Sequence, residues 1–415
     1  MSDHFRRRRV TAADARVSPF AAQIDSFAAH LAQLGYAEST IPARMRLVVA
    51  FTWWLVPRGL AVAVLSSASV TEFFHQRRRR GTRRRGDVAT LERFLGHLVA
   101  CGVTPAAVPS VEAPSAVEDV GIRYREYLRV ERGLAPSTPG HYWTIVHSFL
   151  QGRFGDGPVP LAELTADDTT HFLLRQGAPP SPKGAQLEVS VLRSFFGFLT
   201  KEGEIDRDLA GAVPPVRRWR VVEVPKYLTS AEVTRVLASC DRGAAVGQRD
   251  YAIVLLLARL GLRAGEVVRL ELGDVDWRSG ELMVRGKGSV HARLPLPAEV
   301  GNALATYLHQ ARPSCPTRRV FVRTRAPYRS LGQASTVSAI VCRAIDKAGL
   351  TPATKGAHLF RHSLATDLLR HGASLLEIGE LLRHRSPQTT EIYAKVDLDG
   401  LRTLARPWPV DGGGR

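Results

Sequence analysis

A chain of 415 residues with 45% apolar residues is long enough for two to four soluble domains, each with a core of its own. Its 57 lysines and arginines exceed its 39 acidic residues, and the net charge of +18 favours a polyanionic partner, above all nucleic acid, over a source that simply uses arginine heavily. Four scattered cysteines without a C-x-x-C pair suggest neither a zinc site nor a disulfide framework, and the longest apolar run, 252–258, is too short to span a membrane.

The N-terminal half is predicted to contain two small helical bundles, at 19–104 and 115–210, after a flexible basic arm at 1–18. Apolar residues recur at helical spacing, as Phe20 and Ile24 do at the start of the first bundle. Both segments are therefore predicted to form amphipathic helices that pack around a small core.

The two bundles resemble each other at an offset of about 100 residues. The segment 35–40 parallels 133–138, both reading G-x-A-x-S-T, and 91–94 parallels 192–195, both reading L-x-x-F. Such self-similarity predicts a tandem duplication of one helical module, with coincidence between two amphipathic bundles as the alternative. The stretch 105–114, rich in proline, alanine and serine, separates the copies.

Basic residues gather in three places. The densest is 77–85, with seven arginines in nine residues. Such a run is either a solvated loop or a phosphate-binding loop, and its place between two predicted helices favours phosphate binding. The matching loop of the second bundle, 177–186, contains a lysine, and the extended linker 211–226 contains three arginines. The candidate nucleic-acid contacts are Arg77, Arg78, Arg79, Arg80, Arg83, Arg84, Arg85, Lys183, Arg217, Arg218 and Arg220.

The segment 227–406 is predicted to form a third, mainly helical domain, followed by a tail at 407–415. Its first helix would be capped by Thr229 or Ser230. Strand character at 281–285 and 292–296 predicts a two-stranded hairpin.

Two candidate site residues lie in the first half of this domain. Arg263 belongs to G-L-R-A-G-E, which follows an apolar helix that ends at Gly261, and Glu266 completes the motif. A capped helix with an internal ion pair would explain the motif equally well if it stood alone. Lys287 lies in a G-K-G turn of the hairpin, where an ordinary surface lysine is the alternative.

The stretch 358–393 concentrates groups that suit a phosphodiester. His358 and Arg361 share one side of a helical turn, ahead of a helix predicted from Ser363, and His384 and Tyr393 lie near the end. A guanidinium donates two hydrogen bonds to a phosphate, an imidazole moves protons near neutral pH, and a tyrosine hydroxyl can act as nucleophile. Taken singly, each residue is more simply a satisfied core histidine or a buried tyrosine.

The end of this stretch predicts a short helix. Ser386 suits its N-cap and Pro387 its first position, which places Tyr393 about two turns into it.

In this order and spacing, the residues resemble the conserved boxes of the tyrosine recombinase (phage integrase) family: G-L-R-x-x-E-x-x-x-L, then H-x-x-R-H and T-T-x-x-Y. The family's catalytic positions match Arg263, Lys287, His358, Arg361, His384 and Tyr393. One departure is Arg383, where the family usually has glycine; it adds a candidate phosphate contact.

The resemblance implies a role for each of these residues. Tyr393 would attack a DNA phosphorus to form a 3′-phosphotyrosyl link, while two arginines hold the non-bridging oxygens. Lys287 would protonate the leaving 5′ oxygen, His358 would assist proton transfer at the tyrosine, and His384 would hydrogen-bond the phosphate. Glu266 would orient Arg263. Neither a metal nor another cofactor is implied.

The implied fold is mainly α. Tandem small helical bundles of the SAM-like core-binding type precede a mixed, mostly α catalytic domain with a short β-hairpin. The second bundle is similar to the family's core-binding module, and the first is additional.

The implied function is site-specific DNA recombination for a mobile element, by integration or transposition. The partners would be double-stranded DNA, three further copies of the chain on two DNA sites, and partner recombinases, with no membrane. We expect a soluble cytoplasmic, nucleoid-associated protein. The alternatives are relaxation of DNA like a type IB topoisomerase and DNA binding without catalysis.

Overall fold

A computed structural model of the chain describes residues 20–58, 65–77, 84, 86–104, 115–136, 138–155, 157–174, 182–215, 225–286, 291–384 and 386–396. The contacts divide the chain into two units, one made of 1–108 with 224–415 and the other of 109–223. Among the described helices, none combines the length and the apolar character needed to cross a membrane.

The first bundle has a core of interlocking aromatic rings. Its helices are α1 (Ala21–Gln33), α2 (Ile41–Leu55), α3 (Ser67–Arg77) and α4 (Asp87–Ala100). Phe27 of α1 meets Phe94 of α4 edge to face with ring centroids 5.2 Å apart, and Phe51 of α2 meets Phe73 of α3 in the same way at 5.3 Å. The helical spacing predicted from Phe20 onward is confirmed by the burial of one face of α1.

The first bundle also touches the C-terminal part of its unit. The amide of Tyr328 donates a hydrogen bond to the carbonyl of Leu34 at 3.3 Å. Its ring lies against Gly35, which has a φ of +82° and where a Cβ would lie 2.2 Å from the ring. Only glycine therefore fits this turn in its present position.

The second unit is a similar bundle. Its helices are α5 (Ala116–Val130), α6 (Thr138–Phe154), α7 (Ala166–Leu174), α8 (Pro182–Lys201) and the short α9 (Leu209–Ala212). Ser115 caps α5 by accepting a hydrogen bond from the amide of Glu118. Phe94 and Phe195, which the sequence repeat pairs, are both fully buried in their own bundles. Equivalent core positions in the two bundles support the predicted duplication.

The third segment surrounds one long apolar helix. Its elements are α10 (Ser230–Ala238), α11 (Ala245–Leu260), α12 (Ala264–Arg269), β1 (Val275–Asp276), β2 (Glu281–Arg285), β3 (His291–Pro295), α13 (Ala298–Thr306), α14 (Ala334–Lys347), α15 (Ala357–Arg370) and α16 (Leu375–Leu381). Helix α11 is buried along most of its length, and the core of the segment packs around it. Of the two predicted capping residues, Thr229 is the one that caps α10, in a reciprocal arrangement with Glu232.

The sheet is larger than predicted. It is antiparallel in the order β1-β2-β3, with Met283 opposite Arg293, so a short extra strand joins the predicted hairpin. A strand of two residues, Val275–Asp276, is too short to produce a period-two pattern in the sequence. The hairpin turn at 287–290 lies outside the described residues.

Two expectations for the C-terminal region are corrected. A single helix, α15, contains both His358 and Ser363, because no glycine, proline or capping bond separates them. The predicted short helix with Tyr393 is instead a pair of 3₁₀ segments, Pro387–Thr389 and Glu391–Val396. The hydroxyl of Ser386 donates to the side chain of Gln388 and leaves the helix start uncapped.

Candidate active site

The residues proposed for catalysis come from distant parts of the chain and meet beyond the C-terminal end of α11. Arg263 precedes α12, His358 and Arg361 lie on α15, His384 follows α16, and Tyr393 lies in the last 3₁₀ segment. Hydrogen bonds, ring contacts and charge interactions connect this group. The sixth proposed residue, Lys287, lies outside the described residues.

Arg361 is held in the interior by backbone carbonyls. It is 3% exposed. Its Nη1 donates to the carbonyl of Gly261 at 2.5 Å, and its Nη2 donates to the carbonyl of Leu382. Burial and the nearby charges of Arg263 and Arg383 lower the pKa of Arg361 to about 10, so the guanidinium stays charged at neutral pH. A buried cation beside other cations is a strong candidate for binding an anion.

The buried carboxylate of Glu266 holds two arginines. Its Oε1 accepts from Nη1 of Arg263 and its Oε2 accepts from the Arg263 amide, both at 2.9 Å. Nη2 of Arg383 lies 3.0 Å from the same Oε2. Burial alone would raise the pKa of Glu266, but the amide and the two guanidiniums outweigh it and keep the pKa below its usual value. The ionised carboxylate orients Arg263, whose side chain remains 36% exposed.

Tyr393 is buried with its hydroxyl on a histidine. The residue is 1% exposed, and its hydroxyl lies 3.0 Å from Nδ1 of His362. Burial raises the pKa of Tyr393, although the charges of Arg361 and Arg263 act in the opposite direction. A hydroxyl that must lose its proton before it attacks is thus already paired with an imidazole. Sequence reasoning did not give His362 a role; its spacing of four residues from His358, on one helix face, is the signal that could have done so.

The other two histidines flank this pair. His384 stacks on Tyr393 with ring centroids 6.3 Å apart, and its Nδ1 lies 2.6 Å from the hydroxyl of Thr390. Burial and then the surrounding positive charges lower the pKa of His384 to about 4. His358 lies on the exposed face of α15, 6.3 Å from the ring of His362. Partial loss of hydration and the charges of Arg361 and Arg263 lower its pKa as well. Both imidazoles are therefore neutral at pH 7.

The proposed DNA contacts are mostly outside the described residues: Arg78, Arg79, Arg80, Arg83, Arg85, Arg217, Arg218 and Arg220, and the side chain of Lys183. So are the arm at 1–18 and the tail at 407–415. Arg77 and Arg84 are exposed at the end of α3 and before α4, and Arg77 lies over the ring of Phe73 at 5.7 Å. The Arg383 side chain is only 13% exposed and pairs with Glu266.

A second basic feature was not anticipated from the sequence. An open cavity of about 290 Å³ is lined by Arg249, Arg323, Arg325 and Arg343 together with Thr324, Thr336 and apolar side chains. Arg249 is paired with Asp250, whereas the other three arginines have no acidic partner among the described residues. Unpaired guanidiniums around a cavity favour an anionic ligand. As for cations, no group of three or more metal-ligating side chains occurs among the residues that the structure describes.

Comparison with known families gives two matches. The phage integrase family matches residues 226–399, and the N-terminal SAM-like domain of phage integrases matches 122–203. The chain is 42% identical to the putative integrase/recombinase y4rA of Sinorhizobium fredii, over 94% of this chain and 95% of that protein. It is 32% identical to the tyrosine recombinase XerD of Xanthomonas axonopodis pv. citri, over 68% of this chain and 94% of that protein.

Solved structures show the same fold. The XerH site-specific recombinase bound to its palindromic difH substrate, after cleavage, aligns with a TM-score of 0.56 at 20% identity, over 71% of this chain and 98% of that one. A lambda integrase dimer bound to a COC′ core site aligns with a TM-score of 0.52 at 20% identity, over 70% of this chain and 97% of that one.

Proposed function

The chain belongs to the phage integrase family of tyrosine-type site-specific recombinases, and from that premise we propose that it cuts and rejoins DNA through a 3′-phosphotyrosyl intermediate on behalf of a mobile element. The observation that carries the proposal is the hydroxyl of Tyr393, paired with His362 and next to the charges of Arg361 and Arg263. Nucleophile, proton acceptor and electrostatic stabiliser thus meet at one place.

The proposed reaction gives each of these groups a role. The Tyr393 oxygen attacks a backbone phosphorus, the bond from phosphorus to the 5′ oxygen breaks, and the phosphate remains on the tyrosine. Arg263 and Arg361 hold the non-bridging oxygens as negative charge grows on them. The departing 5′ oxygen takes a proton from Lys287. Because the phosphotyrosyl bond resembles the bond that was broken, attack by a 5′-hydroxyl restores the DNA backbone.

The proton of Tyr393 passes first to His362. Its Nδ1 is within hydrogen-bonding distance of the hydroxyl in the free protein, before any DNA has bound. His358 assists by taking the proton onward to solvent, since its ring is exposed and neighbours that of His362. His384, neutral and fixed by Thr390, hydrogen-bonds the phosphate.

Double-stranded DNA is the proposed substrate, and the charge of the chain supports it. The net charge is +18. Exposed arginines occur at Arg77 and Arg84, and three unpaired arginines surround the cavity beside α14. Such contacts position a duplex through its phosphates without reading its sequence. Four copies of the chain would act together on two DNA sites, alone or with partner recombinases, at the nucleoid.

One experiment separates this function from relaxation by a monomeric topoisomerase-like enzyme and from binding without catalysis. Nicked duplexes from both borders of the element that contains the gene are incubated with the protein, alone and in pairs. We expect a denaturant-resistant adduct on single duplexes and exchanged strands on pairs. An adduct without strand exchange, together with relaxation of a supercoiled plasmid, would favour the topoisomerase-like activity, and retention of DNA without an adduct would favour a binding protein.

A further inference from the structure

Arg383 adopts a backbone conformation that its side chain disfavours. Its φ of +56° makes it the one non-glycine residue with positive φ in the described part of the chain. For a residue with a Cβ the left-handed region is strained, because the Cβ comes too close to the following carbonyl oxygen. Glycine, the family's usual residue here, would avoid that strain. A strained residue at an active site is a reason to ask what its side chain does there.

The side chain of Arg383 reaches the group that orients Arg263. Its Nη2 lies 3.0 Å from Oε2 of Glu266, whose side chain is 1% exposed. The other carboxylate oxygen binds Nη1 of Arg263 at 2.9 Å. The backbone contributes too, since the carbonyl of Arg383 accepts from Nη2 of Arg263 at 3.4 Å. One residue therefore touches both members of the Arg263–Glu266 pair.

The charges of this cluster indicate what the contact achieves. Glu266 alone would neutralise Arg263, because a buried carboxylate interacts strongly with the cation that it orients. With Arg383 present, three guanidiniums (Arg263, Arg361 and Arg383) and one carboxylate sum to +2. A phosphodiester attacked by a phenolate carries two negative charges in the transition state, so the cluster would match the charge of the reacting group.

We propose that Arg383 is a positioning residue that serves as the internal counter-ion of Glu266, so that Glu266 orients Arg263 without cancelling its charge. The inference rests on the proposed DNA cleavage. It differs from the phosphate contact suggested by the sequence, because the guanidinium is turned toward the interior carboxylate and is only 13% exposed. Arg383 acts on the rate through Arg263 and does not bind DNA itself.

A double-mutant cycle tests this role. Arg383→Gly suits the backbone and removes the charge; Arg383→Asn, which also tolerates the left-handed region, is the matched control. Both should slow single-turnover adduct formation about 10- to 100-fold, as the loss of groups that orient reacting residues does elsewhere. Affinity for DNA and its salt dependence should not change. In a Glu266→Gln background, Arg383→Gly should slow the reaction less than about threefold, because no carboxylate remains to be balanced.

The outcomes separate the hypotheses. Equal losses in both backgrounds would overturn the counter-ion role, and weaker DNA binding with a flatter salt dependence would show that Arg383 contacts phosphate. Wild-type rates for both Arg383 variants would also overturn the proposal, because Arg383 would then have no effect on the reaction. If the wild-type protein itself forms no adduct, the proposed function fails and this inference with it; if it does, any failure belongs to Arg383 alone.

Discussion

Replacing His362 with alanine should slow DNA cleavage about 10²- to 10⁴-fold, the usual contribution of a general base. The hydroxyl of Tyr393 is buried and 3.0 Å from Nδ1 of His362. Tyrosine ordinarily has a pKa of about 10, and burial raises it here. At pH 7.5 fewer than about one molecule in 300 would therefore carry a phenolate without help from a base.

The pH dependence gives this prediction its second readout. Without an acceptor, the variant must rely on hydroxide to form the phenolate, so its rate should rise about tenfold per pH unit well beyond the point where the wild-type rate levels off. The buried hydroxyl also loses its partner, which should lower stability by about 1–3 kcal/mol. Thermal unfolding shows whether the variant is still folded at the temperature of the assay.

The assay is single-turnover formation of the protein–DNA adduct on a nicked duplex, with DNA saturating. His358→Ala is the matched control, since His358 lies one turn away on the same helix and its exposed ring acts after His362. We expect a smaller loss, about tenfold, for that variant. If His362→Ala keeps the wild-type rate and pH profile while His358→Ala loses both, then His358 is the base and His362 is not.

Three further predictions concern charge. Arg361→Ala or Arg263→Ala should lower the rate of adduct formation at least about a hundredfold while DNA is still bound, the scale of losing one oxyanion donor. A near wild-type rate in a folded variant would show that the arginine does not bind the reacting phosphate. Replacing the arginines at 77–80 with serine should weaken binding to two unrelated duplexes alike. The slope of log binding constant against log salt concentration should become flatter by roughly two to four units. An unchanged slope would mean that these arginines are solvated and do not contact phosphates. The pKa of His384 is about 4 in the folded chain, against an ordinary 6.5, so its contribution to stability is complete above pH 6.5 and is lost as the pH falls toward 4. In His384→Asn the melting temperature should therefore change less with pH between 6.5 and 4 than in the wild type. Equal changes in the two proteins would contradict the assignment.

The sequence predicted local structure where a few neighbouring residues decide it. The cap of α10 by Thr229 is an example. The motifs also assigned Arg361 and Tyr393 to one candidate site, although only the family resemblance joined such distant positions. Pattern and resemblance together therefore predict which residues belong to the candidate site.

Contacts between residues that are far apart in the sequence could not be predicted from local patterns. The ion pair of Arg383 with Glu266 spans 117 positions and forms only in the folded chain. The hydrogen bond between His362 and Tyr393 depends on how the last 3₁₀ segment packs against α15. The sequence pattern also did not predict that the hydroxyl of Ser386 donates to the side chain of Gln388 instead of capping a helix. Which member of a site touches which other member is therefore decided by tertiary structure.

The proposed function depends above all on a covalent link between Tyr393 and DNA. The adduct formed on a nicked duplex can be digested with protease and nuclease, and the modified peptide identified by mass spectrometry. We expect a nucleotide joined through its 3′-phosphate to the peptide that contains Tyr393, a free 5′-hydroxyl on the other strand end, and no adduct with Tyr393→Phe. A link to another residue, a link through a 5′-phosphate, or an adduct that persists in Tyr393→Phe would contradict it.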